Sequence, residues 1–223
     1  MKKRQRTSET DLQEQSGTER DVGMLFCVDN FFDLSEFQHR LIFQNCEFVW
    51  QVLPQIGSYL KNQTLGNVEV DIPATAILVN KEQISIGKGT IVEPGAYICG
   101  PCVIGKNCVI RHGAYIRGNF ICGDHCIVGH TTEIKNALFL NHAQAPHFAY
   151  VGDCVLGNHT NLGAGTKLAN LRFDNRPIRI HHEGSVYETD LRKFGAILGD
   201  GAQTGCNSVT NPGTLLGKNA AVY

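Results

Sequence analysis

Between Ile86 and Phe139 the chain reads IGKGTI, VEPGAY, ICGPCV, IGKNCV, IRHGAY, IRGNFI, CGDHCI, VGHTTE, IKNALF, nine units of six residues without a slip. The first position is apolar in every unit (Ile86, Val92, Ile98, Ile104, Ile110, Ile116, Cys122, Val128, Ile134). The fifth is mostly small: Thr90, Ala96, Cys102, Cys108, Ala114, Phe120, Cys126, Thr132, Leu138. Residues six apart fall on different faces of an α-helix, and a plain strand alternates with period two. A period of six suits a prism whose flat sides are short strands and whose corners are tight turns, with position one always inward. The stretch therefore predicts an all-β solenoid, a parallel β-helix of hexapeptide repeats.

Working outward, residues 1–22 (MKKRQRTSETDLQEQSGTERDV) are polar and aperiodic and predict a disordered tail. Residues 23–63 read as a helical N-terminal segment. Ser35 and Glu36 open it, Leu41, Phe48, Val49, Val52, Leu53, Ile56 and Leu60 recur at helical spacing, and Pro54 should kink or break it. Such a segment needs a surface to cover, and the open end of the solenoid or a neighbouring subunit is the expected one. Residues 64–223 form the β-helix, entered through a strand-like stretch at 64–85. The pattern breaks at LNHAQAPHFA and resumes at Val151, then breaks again after Leu171 until Leu198. Loop insertions are expected at 140–150 and 171–195, and loops on a rigid scaffold are where function collects.

Composition is that of an ordinary globular chain: 223 residues, 42% apolar, with a formal net charge of −1. Near-neutrality argues against nucleic acid as a partner. No apolar run approaches the ~20 residues of a membrane span, and no apolar segment follows MKKRQR, as a secretory signal would require. Nine cysteines, an odd number with five at repeat positions, suit buried thiols in a reducing cytoplasm.

Four patterns carry chemistry. Arg111 and Lys135 both stand at the second position of a unit, four units apart, where glycine is usual. A fork and a point charge on adjacent sides suit a phosphate; solvated surface charge is the plain alternative. His147 and Tyr150 lie in the first break, and an imidazole beside the prism is either a general base or a structural histidine. Cys99-Gly-Pro-Cys102 has the spacing of a redox pair, but both thiols fall in repeat register without the helix that lowers a thiol pKa. His125/His130 and His142/His147 are pairs five apart, with His112 as a third histidine. They leave open a zinc protein of the γ-class carbonic anhydrase kind.

The stretch HFAYVGDCVLGNHTNLGAGTKLANLRFD, His147 to Asp174, resembles the acetyltransferase domain of bifunctional glucosamine-1-phosphate acetyltransferase / N-acetylglucosamine-1-phosphate uridyltransferase. It is closer still to the C-terminal domain of the archaeal sugar-1-phosphate nucleotidylyltransferases, and the similarity extends from about Ile86 to Gly217. The resemblance implies a left-handed β-helix with three units to a coil, assembled as a homotrimer. It implies His147 as general base, with Arg111, Lys135, Tyr150, Asn161 and Arg176 holding an amino-sugar 1-phosphate. Ala164, Asn170, Leu171 and Asp200 fall at positions that contact acetyl-CoA. Here His112 replaces a proline, Leu171 a tyrosine, Arg176 a lysine and Asp200 a serine.

The implied reaction is acetyl transfer from acetyl-CoA to the amine of a hexosamine 1-phosphate, with a backbone N–H of the Gly163–Ala164–Gly165 turn receiving the oxyanion. It requires no metal and belongs to cytoplasmic UDP-N-acetylglucosamine synthesis for the cell envelope. No glycine-rich nucleotide loop precedes the repeat, so the uridyltransferase half is expected to be absent. A non-catalytic sugar-phosphate-binding scaffold is the alternative from another class.

Overall fold

The computed structural model describes residues 25–223, so the tail expected at 1–22 lies outside the described residues. The chain winds as a parallel β-solenoid with three sides. The first side stacks 77–79, 97–99, 115–116, 133–135, 150–152, 167–168 and 209–210. The second stacks 84–86, 102–104, 120–122, 137–139, 154–156, 196–198 and 214–216. The third stacks 91–92, 109–110, 127–130, 144–147, 161–162, 203–204 and 221–222. All nine position-one residues are buried, at 4% exposure or less, in one continuous interior column of aliphatic and small side chains. In the first eight units the fifth position is buried as well, and these two inward residues per unit confirm the hexapeptide reading; the ninth unit is five residues long, so Leu138 points outward and Phe139 takes the next inward place.

The structure corrects the expected insertion at 140–150. No loop leaves there: Gln144–His147 is a strand of the third side, in register with Ile127–His130 below and Asn161 above. What breaks the sequence period is two short units, IKNAL and VGDCV. The corner between first and second sides is built there from one left-handed residue, Asn136 (φ 48°) or Asp153 (φ 54°). The coil below uses two, Gly118 and Asn119 (φ 95° and 50°). Asn and Asp visit this region at little cost because their short polar side chains bond locally. The strands Glu133–Phe139 and Tyr150–Leu156 therefore run round the corner and join two sides into one 12-stranded sheet.

The second break is a true excursion. It leaves at Leu171, forms an antiparallel hairpin (Arg179–His182 with Ser185–Glu188), and returns where Leu171 bridges Lys193.

The N-terminal segment is less helical than its spacing predicts. It consists of short turns, with a four-residue helix at Val28–Phe31, 3₁₀ turns at Arg40–Phe43 and Val49–Gln55, and an α-helix only at Ile56–Lys61. Pro54 sits inside the second 3₁₀ turn, just before that helix, which agrees with the expected break. The segment does not cap the end of the prism but packs on its second side. There Ile121, Leu138, Val155 and Ile197 point outward and are fully buried against Trp50, Leu53, Ile56 and the excursion's Ile178 and Phe194. A row of outward aliphatics, each worth ~1.5–3 kcal/mol when buried, outweighs the unpaired backbone at the end.

Candidate active site

The corner between the third and first sides collects the residues with the most chemistry. His147 ends the strand Gln144–His147 and is exposed there. Its carbonyl accepts from Gly165 N–H at 3.0 Å, so the Gly163–Ala164–Gly165 turn lies one coil above it. Below, Arg111 Nη1 reaches the carbonyl of Pro146, the residue before His147, at 3.5 Å. Gly129 lies in the coil between them, and a Cβ there would overlap the Pro146 backbone, so this place in the column accepts only glycine.

The turn's amides are unequally occupied. Gly163 N–H donates to Thr204 O at 2.9 Å and Gly165 N–H to His147 O, while Ala164 N–H has no acceptor among the described residues. One free amide thus stands in the corner directly above an exposed imidazole.

Tyr150 and Lys135 occupy the adjoining first side, both half-buried. Tyr150 lies one coil above Glu133, and Lys135 one coil below Gly152. Gly152 matters here: a Cβ on it would stand 2.6 Å from Tyr150 Oη and 2.7 Å from Asn170 Nδ2. Burial, ahead of other causes, pushes the Tyr150 phenol pKa up. Asn161 is on the third side, in register with Gln144 and Gln203. Arg111, Lys135, His147, Tyr150, Asn161 and Ala164 therefore line two adjoining sides and the corner between them.

The remaining residues implied by the resemblance lie elsewhere. Asn170 is buried at the next corner, its amide given to Asp153 at 2.6 Å. Leu171 and Arg176 are exposed on the excursion that starts there. Arg176 lines a small cavity of about 140 Å³ with Arg172, Arg179 and Glu188. Arg172 is paired with Asp174, whose pKa that guanidinium holds well below the usual carboxylate range. Asp200 is at the third corner, where its carboxylate accepts from Asp33 N–H (2.7 Å) and Asn158 N–H (2.7 Å). In this fold Asp200 ties the N-terminal segment to the solenoid.

A comparison with protein-family models matches residues 83–118 to the bacterial transferase hexapeptide, six repeats. An uncharacterized acetyltransferase, YaiX, of Escherichia coli is 31% identical over 168 residues, covering 74% of this chain and 72% of that protein. The chain belongs to the hexapeptide-repeat transferases. It is also 34% identical, over 73% of its length, to a bifunctional sugar-1-phosphate nucleotidylyltransferase/acetyltransferase of Sulfurisphaera tokodaii. The bifunctional protein GlmU of Methanococcus maripaludis is 33% identical over 78% of the chain. The chain spans about two-fifths of those two relatives, 39% and 41%.

Within this hexapeptide transferase, two residues near the site escaped the sequence reading. Asp153, 5% exposed, receives Asn136 and Asn170 on its two oxygens. The available signal was a polar residue at the corner of a shortened unit. Arg117 lies one coil below Lys135 on the first side and is paired with Glu133 at 2.7 Å. It stands at the same second position of a unit as Arg111 and Lys135, which is the signal that could have found it.

The histidine pairs separate. His125 and His142 stack with His159 at one corner, ring centroids 4.7 and 4.5 Å apart, while His130 and His147 are in register at another. Each pair spans a whole side of the prism. Cys99 and Cys102 lie on strands, and burial pushes the Cys102 thiol up to about 12, the reverse of a reactive redox thiol. All nine cysteines are free. No helix among the described residues is long and apolar enough to cross a membrane.

Proposed function

We propose that this hexapeptide transferase moves the acetyl group of acetyl-CoA onto the amine of an amino-sugar 1-phosphate. The observation that carries the proposal is the free Ala164 N–H one coil above the exposed His147. A general base and an oxyanion donor on one rigid corner are the two groups that acyl transfer to an amine requires.

His147 takes a proton from the substrate nitrogen as that nitrogen attacks the thioester carbonyl. Ala164 N–H donates to the oxygen as it gains charge, and the intermediate collapses with the CoA thiolate as leaving group. Arg111 and Lys135 hold the phosphate, with Arg176 reaching in from the excursion. Tyr150 and Asn161 orient the ring from either side of the corner, and positioning of this kind supplies much of the rate. Leu171, exposed where the excursion starts, contacts acetyl-CoA, while Asn170, buried with its amide on Asp153, holds that corner in place rather than touching the cofactor. Since the site residues occupy two outer sides of the prism, a homotrimer would enclose them between subunits.

The test is release of free CoA thiol from acetyl-CoA with glucosamine 1-phosphate, its galacto epimer and unphosphorylated glucosamine as acceptors. Turnover that depends on the phosphate supports the proposal. Turnover indifferent to the phosphate, or none with any amino sugar, removes it.

A further inference from the structure

The interior of the prism holds chemistry that the proposed reaction leaves unused. The sulfur atoms of Cys108, Cys122 and Cys126 all lie within 4.8 Å of one another. They are the only such group of metal-ligating side chains among the described residues. All three residues are at 1% exposure or less, and Cys108 Sγ is 3.9 Å from Cys122 Sγ.

A small side chain is the rule at two of the three positions and an exception at the third. Cys108 and Cys126 follow one another in a corner column that elsewhere holds Thr90, Ala143 and Thr160, so a small side chain is required there. Cys122 belongs to the neighbouring column, in line with Ile86, Ile104, Phe139, Leu156 and Leu198. Every other member named is large. Cys122 breaks the rule of its own column: the bulk comes instead from Phe120 of the same strand, packed on Phe139 at 5.1 Å between centroids, and the Cys122 sulfur is left facing those of Cys108 and Cys126.

We propose that Cys108, Cys122 and Cys126 form a buried three-sulfur site for a trivalent thiophilic ion of the arsenic(III) class. Thiolates select soft ions, and charge selects among them. No lysine or arginine is buried among the described residues, so charge left on the site would go uncompensated. Three thiolates around a monovalent ion leave two negative charges and around a divalent ion one; around a trivalent ion they leave none. Zinc also wants a fourth ligand, which a three-coordinate metalloid does not. With arsenous acid the step balances: three S–H and three As–OH bonds break, three As–S bonds form, and three waters leave without any change of oxidation state.

The test is to refold the full chain with sodium arsenite, desalt it, and measure retained arsenic and the melting temperature. One arsenic per chain and a raised melting temperature are expected, since folding is what brings the three sulfurs within 4.8 Å of one another and the folded chain therefore holds the ion more tightly. Cys126→Ala and Cys108→Thr introduce residues the column already accepts and should lose retention, whereas Cys206→Ser, at an exposed position, should keep it. Alkylation mapping of loaded wild-type protein needs no variant and should find Cys108, Cys122 and Cys126 protected together. Retention unchanged in Cys126→Ala, protection of other cysteines, or no arsenic bound by the wild type overturns the site. One equivalent of zinc retained where arsenite is not overturns the choice of ion.

Discussion

Asn170 donates its side-chain amide to Asp153 at 2.6 Å, and Asp153 takes Asn136 on its other oxygen at 3.0 Å. Asn136 also reaches Leu53 O of the N-terminal segment at 3.3 Å. One buried carboxylate thereby joins the N-terminal segment, the corner of two coils and the start of the excursion. Replacing it with alanine removes the acceptor of the Asn170 amide and one of the two acceptors of the Asn136 amide, and leaves a residue without a polar side chain at φ 54°. Asp153→Ala should lose about 2–4 kcal/mol in urea unfolding. Asp153→Asn, which tolerates the backbone and keeps one acceptor, should lose clearly less.

Gly152 leaves the room in which Tyr150 lays its hydroxyl beside Asn170. Gly152→Ala should displace the tyrosine and cost about one hydrogen bond to substrate, roughly a tenfold rise in KM for the sugar phosphate. Circular dichroism should show the solenoid intact, because the collision is with side chains rather than backbone.

Arg111 is expected to act through its fork, reaching toward Pro146 O and the phosphate together. Arg111→Lys keeps the charge and loses the planar geometry. Steady-state kinetics should show KM raised about tenfold, with a smaller change in kcat. Arg111→Ala should lose no more than Arg111→Lys; a lysine variant with the wild-type KM would mean that charge rather than geometry carries the role.

Stability should fall on mild acidification. Burial lowers the pKa of His39 below its usual 6.5, against a weaker opposite pull from Asp124. The unfolded chain then takes up a proton at a higher pH than the folded chain does. Stability is therefore full above about pH 6.5 and declines as pH drops below it. Trp50, the only tryptophan, is buried against Phe48 in the same segment and reports its release by fluorescence. The urea midpoint should shift downward between pH 7 and 5.5, and His39→Gln should shrink that shift.

The prism was legible because position one obeys a single rule: an inward side chain must be apolar, whichever side it serves. Ile86 to Ile134 declare this without reference to anything distant. The shortened units were not legible, because a five-residue corner differs from a loop only in whether Asn136 and Asp153 adopt the left-handed conformation. The docking of the N-terminal segment rested on Ile121, Leu138, Val155 and Ile197, which are scattered over coils and align only once the register is known. At the site, His147, Arg111 and Ala164 could be named from their motif, but that Ala164 holds the turn's free amide depends on Thr204, forty residues away. Asn170 and Asp200 could not be placed, since their partners, Asp153 and the backbone at Asp33, are set by packing between coils.

The most direct measurement is CoA release by His147→Ala against wild type, with acetyl-CoA and a hexosamine 1-phosphate at saturation. His147 is exposed, so the variant should keep nearly the wild-type melting temperature while losing at least ~10²-fold in kcat, the low end for a lost general base. A variant that turns over at the wild-type rate contradicts the account.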